Sequence, residues 1–218
     1  MATSLSNDHI APVTGIRTPA AQRVLDSALD LFYERGFRST SVRDVMAACH
    51  LTSGAFYNHF SSKDALLYQI ATTTHDLCDQ YLYRALSTST EPRAQLWNLT
   101  FAIAEFHAEH AKEARVTSQD FRELPERELN EIRQRRRQVR AMFEHVLTAG
   151  VEAGAFESPR LGDGRAIRLL ATTITNMAIR IAEWFSPDDG LSAKEIAAFH
   201  GDIALRMTRS NGESEFAV

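Results

Sequence analysis

Residues 52–60, Thr-Ser-Gly-Ala-Phe-Tyr-Asn-His-Phe, hold the densest grouping of side chains suited to recognition chemistry. Thr52, Ser53, Gly54 and Ala55 are small, so a backbone that carries them can approach another molecule closely. Phe56 and Phe60 stand four apart and would anchor one face of a helix, leaving Tyr57, Asn58 and His59 to project outward as hydrogen-bonding groups. Amides at the start of such a helix can face a phosphate, and Lys63 just beyond can reach another as a point charge. This chemistry suits a short helix laid in the major groove of DNA. It equally suits an amphipathic surface helix of a plain bundle, and the string alone does not separate the two.

Other groupings carry less. The run Arg133-Gln-Arg-Arg-Arg-Gln-Val-Arg140 has the charge for an anion, but Glu126, Glu128, Glu131 and Glu144 are interleaved around it, which fits a solvated, ion-paired helix face. His107 and His110 are three apart with no further ligand at metal-binding spacing. Cys49 and Cys78 have no CxxC spacing and read as free thiols packed as small hydrophobes in a reducing compartment. Nucleophile-elbow, P-loop, HExxH and dinucleotide-binding motifs are missing, so neither a cofactor nor an enzymatic activity is expected.

The elements that must position these residues are helices. Apolar residues recur at three- and four-residue spacing nearly throughout, and alternating β-branched runs are absent. A first helix begins at Thr18-Pro19, buries Val24, Leu25, Ala28, Leu29 and Phe32, and stops at Gly36. A short second helix follows Ser41, with Asp44 completing a capping box, and a third follows Thr52 and runs to about His59. A long fourth helix starts at Ser61–Asp64. Pro92, Ala111 and Pro125 open the fifth to seventh. An eighth spans about 164–185 and a ninth is capped by Ser192 and Glu195. The expected fold is all-α with about nine helices. Its divisions are a disordered lead-in over 1–16, a DNA-docking three-helix unit over 17–63, a helical body over 64–210 and a frayed tail over 211–218.

Bulk properties agree with a globular chain and add little about function. The 218 residues are 44% hydrophobic and 24% charged, and no apolar stretch approaches the ~20 residues needed to span a bilayer. The first fifteen residues lack the charged and apolar regions of a signal peptide, which points to a cytoplasmic protein without membrane partners. Net charge is −4. DNA binding needs only a local cationic face, yet residues 17–68 are barely positive, so charge neither supports nor excludes a nucleic-acid partner.

The order of motifs is more specific than any one of them. Ala28-Leu-Asp-Leu-Phe-Tyr-Glu-Arg-Gly-Phe37, then Thr40-Ser-Val-Arg-Asp-Val45, then Leu51-Thr-Ser-Gly-Ala-Phe-Tyr-Asn-His-Phe-Ser-Ser-Lys-Asp-Ala-Leu66 resembles the signature of the TetR family of transcriptional regulators throughout. The departures are small. Met46-Ala47 stands in for the usual Ile-Ala, and His50 sits where glycine commonly closes the turn, so His50 must accept a left-handed backbone. The resemblance implies a helix-turn-helix and a double-stranded DNA operator as partner. It assigns Arg43 to a base or backbone contact, Thr52, Ser53, Gly54, Ala55, Tyr57 and Asn58 to the groove, and His59 and Lys63 to phosphates. It also implies a homodimer formed by the last two long helices. Leu169, Leu170, Ile174, Ala178 and Ile181, with Ile196, Phe199, Ile203 and Met207, would supply the apolar stripes.

Beyond residue 68 the resemblance is to architecture. The string Ile179-Arg-Ile-Ala-Glu-Trp-Phe-Ser-Pro-Asp-Asp-Gly-Leu-Ser192 looks like a segment of a TetR subgroup that represses fatty-acid and steroid catabolism and answers acyl-CoA thioesters. Arg180 and Trp184, four apart, could hold a phosphate and stack an adenine. They could equally pair with Glu183 and seal the dimer. Trp97, Phe101, Glu105, Phe121, Met142, His145, Thr172 and Asn176 are the other candidates for lining a mostly apolar effector pocket. The resemblance therefore implies a repressor released by a small hydrophobic effector. Another hydrophobic ligand (an antibiotic or a signalling lactone) and an activator role stay open at this point.

Overall fold

A computed structural model describes residues 18–157, 165–186, 188 and 190–208. The expected lead-in and frayed tail, and Gly162, Gly164, Pro187 and Asp189, lie outside the described residues. Among those described, the elements are α1 (Pro19–Arg35), α2 (Val42–Ala48), α3 (Ser53–Phe56), α4 (Lys63–Ser87), α5 (Pro92–Glu109), α6 (Ala111–Asp120), a 3-10 turn (Phe121–Glu123), α7 (Glu126–Glu152), α8 (Arg165–Ile179), α9 (Ile181–Trp184) and α10 (Ala193–Met207). The fold is all-α. Arg180 alone parts α8 from α9, because the Glu183 N–H bonds the Arg180 carbonyl at 3.0 Å in an i→i+3 step before the Phe185 N–H resumes with Ile181. The two segments together are the eighth helix of the sequence reading, so the count of about nine stands for the described residues.

Local chemistry explains the boundaries. The Thr18 hydroxyl accepts from the Ala21 N–H at 3.2 Å with Pro19 in the first turn, and Gly36 ends α1 at φ 80°. Ser41 and Asp44 form a reciprocal box at the start of α2, and the Ser41 hydrogen bonds hold the Asp44 carboxyl below its ordinary pKa. Ser192 and Glu195 repeat the arrangement on α10, with the same effect on Glu195. His50 takes φ 57°, the left-handed conformation its place in the turn demands.

The described chain forms two compact units, and their division does not fall after residue 63. One unit comprises residues up to Leu77 together with Lys112–Ile132; the other comprises Cys78–Ala111 and the residues from Arg133 on. The physical reason is the core. In the first unit Phe32, Phe37, Met46, Phe56, Leu66 and Leu67 share one buried cluster with Val116, Phe121, Leu124 and Ile132. Full burial of each such side chain contributes roughly 1.5–3 kcal/mol. Four surface ties run along the same seam. Lys112 pairs with Asp30 at 2.6 Å, Arg38 with Glu123 at 2.8 Å, the Tyr68 hydroxyl donates to Glu131 at 2.6 Å, and the Arg115 guanidinium lies over the Tyr33 ring. Exposed ties of this kind contribute no more than about 1 kcal/mol each, so the apolar core dominates.

In the second unit α5 packs closely on α10. Gly201 makes that possible, since a Cβ there would lie 2.8 Å from Trp97 Nε1. Trp97 stacks on Phe101 at 5.1 Å and donates its indole N–H to Asp202 at 2.9 Å. His107 is buried on α5 with Nδ1 2.7 Å from the Ile103 carbonyl, and burial pushes its pKa down to about 4. The ring is therefore neutral near pH 7, with Nδ1–H donating to the carbonyl. Cys49 and Cys78 are buried and free, and burial raises the Cys78 thiol. Among the described residues no cluster suited to a metal occurs, and no helix is long and apolar enough to cross a membrane.

Candidate nucleic-acid interface

The recognition segment is held from beneath by one side chain. Phe56 is fully buried, with Phe60 5.8 Å away and half-buried beside it. With that anchor fixed, Thr52, Ser53 and Gly54 lie at the surface, Ala55 is half-buried, and Tyr57 is 68% exposed. Asn58 and Arg43 are exposed too. The structure thus gathers Arg43, Thr52, Ser53, Gly54, Tyr57 and Asn58 in one unit as solvent-facing groups. Thr52 occupies the N-cap position of α3 but makes no side-chain capping bond, which leaves its hydroxyl for another partner.

Three placements depart from the sequence reading. The third helix closes at Phe56 and not near His59, because the Asn58 and His59 N–H groups turn to the Ala55 and Phe56 carbonyls at 3.3 and 2.9 Å in i→i+3 bonds. His59 is only half exposed. Lys63 points inward: its ammonium donates to the Phe37 carbonyl at 2.8 Å and the Thr40 carbonyl at 2.9 Å, and it lies 4.0 Å over the Phe37 ring.

The effector candidates are divided between the two units. Phe121 belongs to the core of the first unit, while all the others lie in the second. Trp97 and Phe101 do meet, but as a stacked brace on α10, with the indole N–H already bonded. Glu105 sits one turn further on, half-buried, its carboxyl raised first by burial and then by Glu109. Met142 is half-buried on α7, whereas His145 is exposed. The Thr172 hydroxyl bonds back to the Arg168 carbonyl at 2.7 Å, as helix threonines do, and Asn176 is exposed. Arg180 pairs with Glu183 at 2.6 Å, and Trp184 is 54% exposed.

The apolar stripes on α8 and α10 divide. Ile174, Ala178, Ile181 and Ile196 are buried within the chain, while Leu169 at 56% and Phe199 at 60% stand in solvent, with Met207 also exposed. Sequence reasoning missed Asp30, Asp120 and Glu123 as supports of the recognition unit. Their partners lie some eighty residues away in the chain, and no local pattern announces such a pairing.

The family model for bacterial regulatory proteins of the tetR family matches residues 24–70, and that for the tetracyclin repressor-like C-terminal domain matches residues 89–208. The HTH-type transcriptional repressor KstR2 of Mycolicibacterium smegmatis is 30% identical over 203 residues, covering 89% of this chain and 95% of that protein. A tetR-family regulatory protein from Rhodococcus RHA1 superposes with TM-score 0.80 at 28% identity, over 88% of this chain and 98% of the other. AibR, solved with isovaleryl coenzyme A and operator DNA, shares the fold at TM-score 0.75 and 20% identity, over 84% of this chain and 97% of its own. The exposed recognition segment, the all-α architecture and both family matches lead to one conclusion: the chain belongs to the TetR family and is a DNA-binding transcriptional regulator, not an enzyme.

Proposed function

We propose that the protein is a repressor that binds a near-palindromic operator as a homodimer and is released by a small hydrophobic effector, of which an acyl-CoA thioester is the favoured class. The observation that carries the DNA reading is the exposed run Thr52–Gly54 and Tyr57 on a segment anchored by buried Phe56. Small groups let backbone approach base edges, and Tyr57, Asn58 and Arg43 add hydrogen bonds to bases or phosphates. Few side chains contact each half-site, so affinity depends on two copies spaced one helical turn apart, ~34 Å. Exposed Leu169, Phe199 and Met207 support the second copy as partner, since large apolar side chains in solvent favour burial.

The effector reading rests on Arg180, at the break between α8 and α9, and Trp184, at the end of α9, both exposed. A guanidinium can take a phosphate bidentately, and an indole offers a face to adenine. The KstR2 repressors among the relatives support repression, and AibR supports the capacity of this fold for an acyl-CoA. Release would be a population shift, in which the thioester favours a conformation that no longer fits the operator.

The test uses a duplex of about 30 bp, enough for two adjacent turns, selected by the full-length chain from a randomised pool. Fluorescence anisotropy then measures binding with and without long-chain or steroid acyl-CoA. Tyr57→Ala should abolish selective binding. Arg180→Ala and Trp184→Ala should leave operator affinity intact and raise the thioester concentration needed for release at least ~10-fold, a loss of about 1.4 kcal/mol. Failure to select any duplex, with Tyr57→Ala silent, defeats the DNA reading; an operator that no thioester releases defeats only the effector class.

A further inference from the structure

We infer that Lys63 serves operator binding as an internal clamp on the turn between α1 and α2, and not as a phosphate ligand. The inference rests on the assignment of α3 as the DNA face and concerns what sets that face.

An ammonium has three N–H donors. Two of those on Lys63 reach the carbonyls of Phe37 and Thr40, at 2.8 and 2.9 Å, and the Phe37 ring covers the charge at 4.0 Å. These two carbonyls bracket the turn that delivers the chain to Ser41, the N-cap of α2. Thr40 itself is buried, its hydroxyl bonded to the Gly36 carbonyl at 3.0 Å and its N–H to Phe37 at 3.2 Å. From the other side, burial raises the Asp120 carboxyl at the end of α6, while the nearby Phe37 N–H and the Lys63 charge favour its ionised form. Glu123, in the turn after α6, ties Arg38 at 2.8 Å.

Phe37 is therefore held at its carbonyl by an ammonium from another helix, which at 2.9 Å also takes the Thr40 carbonyl at the far end of the turn. Hydrogen bonds with one ionised partner are roughly twice as strong as neutral ones, so this grip outweighs the neutral bonds within the turn. Since α2 and α3 dock as a pair, an error at Ser41 passes to every group on α3. Lys63 is a positioning residue: it touches no DNA and fixes the pair that does, with the Asp120 charge acting on it from α6.

The experiment measures operator affinity across a salt series for the full-length chain, Lys63→Met, Lys63→Arg and Asp120→Asn, using the selected duplex. Thermal melts are recorded beside each. A clamp predicts that Lys63→Met weakens binding at least ~10-fold with the slope of log K against log salt unchanged. A phosphate ligand predicts a slope smaller by about 0.9 per lysine, about 1.8 for a dimer. Lys63→Arg keeps the charge and its reach but cannot seat a compact ammonium between two carbonyls, so a clamp predicts loss where a phosphate contact predicts near-native affinity. Asp120→Asn removes a negative charge, which electrostatics alone would reward with tighter DNA binding; the clamp predicts weaker binding. Should Lys63→Met not fold, Lys63→Arg and Asp120→Asn decide. A reduced slope, near-native Lys63→Arg, or native-strength Asp120→Asn each overturns the clamp while leaving the α3 reading intact. A wild-type chain that selects no duplex overturns both.

Discussion

Replacement of Gly54 by alanine should raise stability and lower operator affinity at once. A Cβ built at Gly54 meets nothing within 4 Å, and the residue lies inside α3 with no positive φ. In a helix interior alanine is favoured over glycine by up to about 1 kcal/mol, and in so short a helix about half of that is a fair figure. For a chain of this length ~0.5–1 kcal/mol corresponds to a melting temperature higher by about 1–4 °C. The same methyl stands where base edges would approach. Loss of one good base contact costs about 1–3 kcal/mol, so two half-sites lose about 2–6 kcal/mol, at least ~30-fold in affinity. Melts and anisotropy titrations on the same preparations give both numbers. An alanine variant that melts higher and binds the operator as tightly as the parent would refute the close-approach role of Gly54, and with it the geometry assigned to α3.

Four further outcomes are expected. Gly201→Ala should lower the melting temperature by a few degrees, since its Cβ would press on the Trp97 indole at 2.8–3.0 Å and overpacking of about 1–3 kcal/mol outweighs the helix-propensity gain. His50→Gly should raise stability by about 1 kcal/mol by relieving a left-handed histidine whose side chain is exposed; an unchanged denaturation midpoint would count against this. His107 makes stability pH-dependent: its folded pKa of about 4 lies below the ordinary 6.5, so the unfolded chain binds the extra proton first. That stability is intact above about 6.5 and falls as pH drops toward 4, by up to about 3 kcal/mol at ~1.36 kcal/mol per pH unit; His107→Gln should flatten this part of the pH profile. Phe199→Asp should leave helix content unchanged and convert dimer to monomer in sedimentation, because the side chain it replaces is already 60% exposed.

What the sequence made legible was what local chemistry decides. Thr18-Pro19, Gly36, the Ser41–Asp44 box and the strained His50 all carry their reason within four residues, and each stands where it was expected. The burial of Phe56 followed from spacing. The spacing of Phe56 and Phe60 misled at the next step, because i, i+4 aromatics look like a continuing helix even where the backbone has tightened to i→i+3. Long-range pairing was invisible. The inward turn of Lys63 depends on carbonyls 26 and 23 residues upstream. Val116, Phe121 and Leu124 announce that their segment buries a face, but not which core receives it. Among the effector candidates, residue type said only that an apolar lining was feasible, and Phe121 went to the other unit.

The first unit is assembled from two separated stretches of chain, and this governs how the protein can be recombined. A fragment cut after residue 70 carries the whole recognition motif yet leaves Phe32, Phe37 and Leu66 without Val116, Phe121, Leu124 and Ile132. A chimera that grafts such a fragment onto another regulator's body inherits an open apolar seam unless the recipient offers a matching face. The reading head is thus not a cassette. Exchange of operator specificity between relatives should succeed by transplanting the few surface residues around Tyr57, and fail by transplanting the domain.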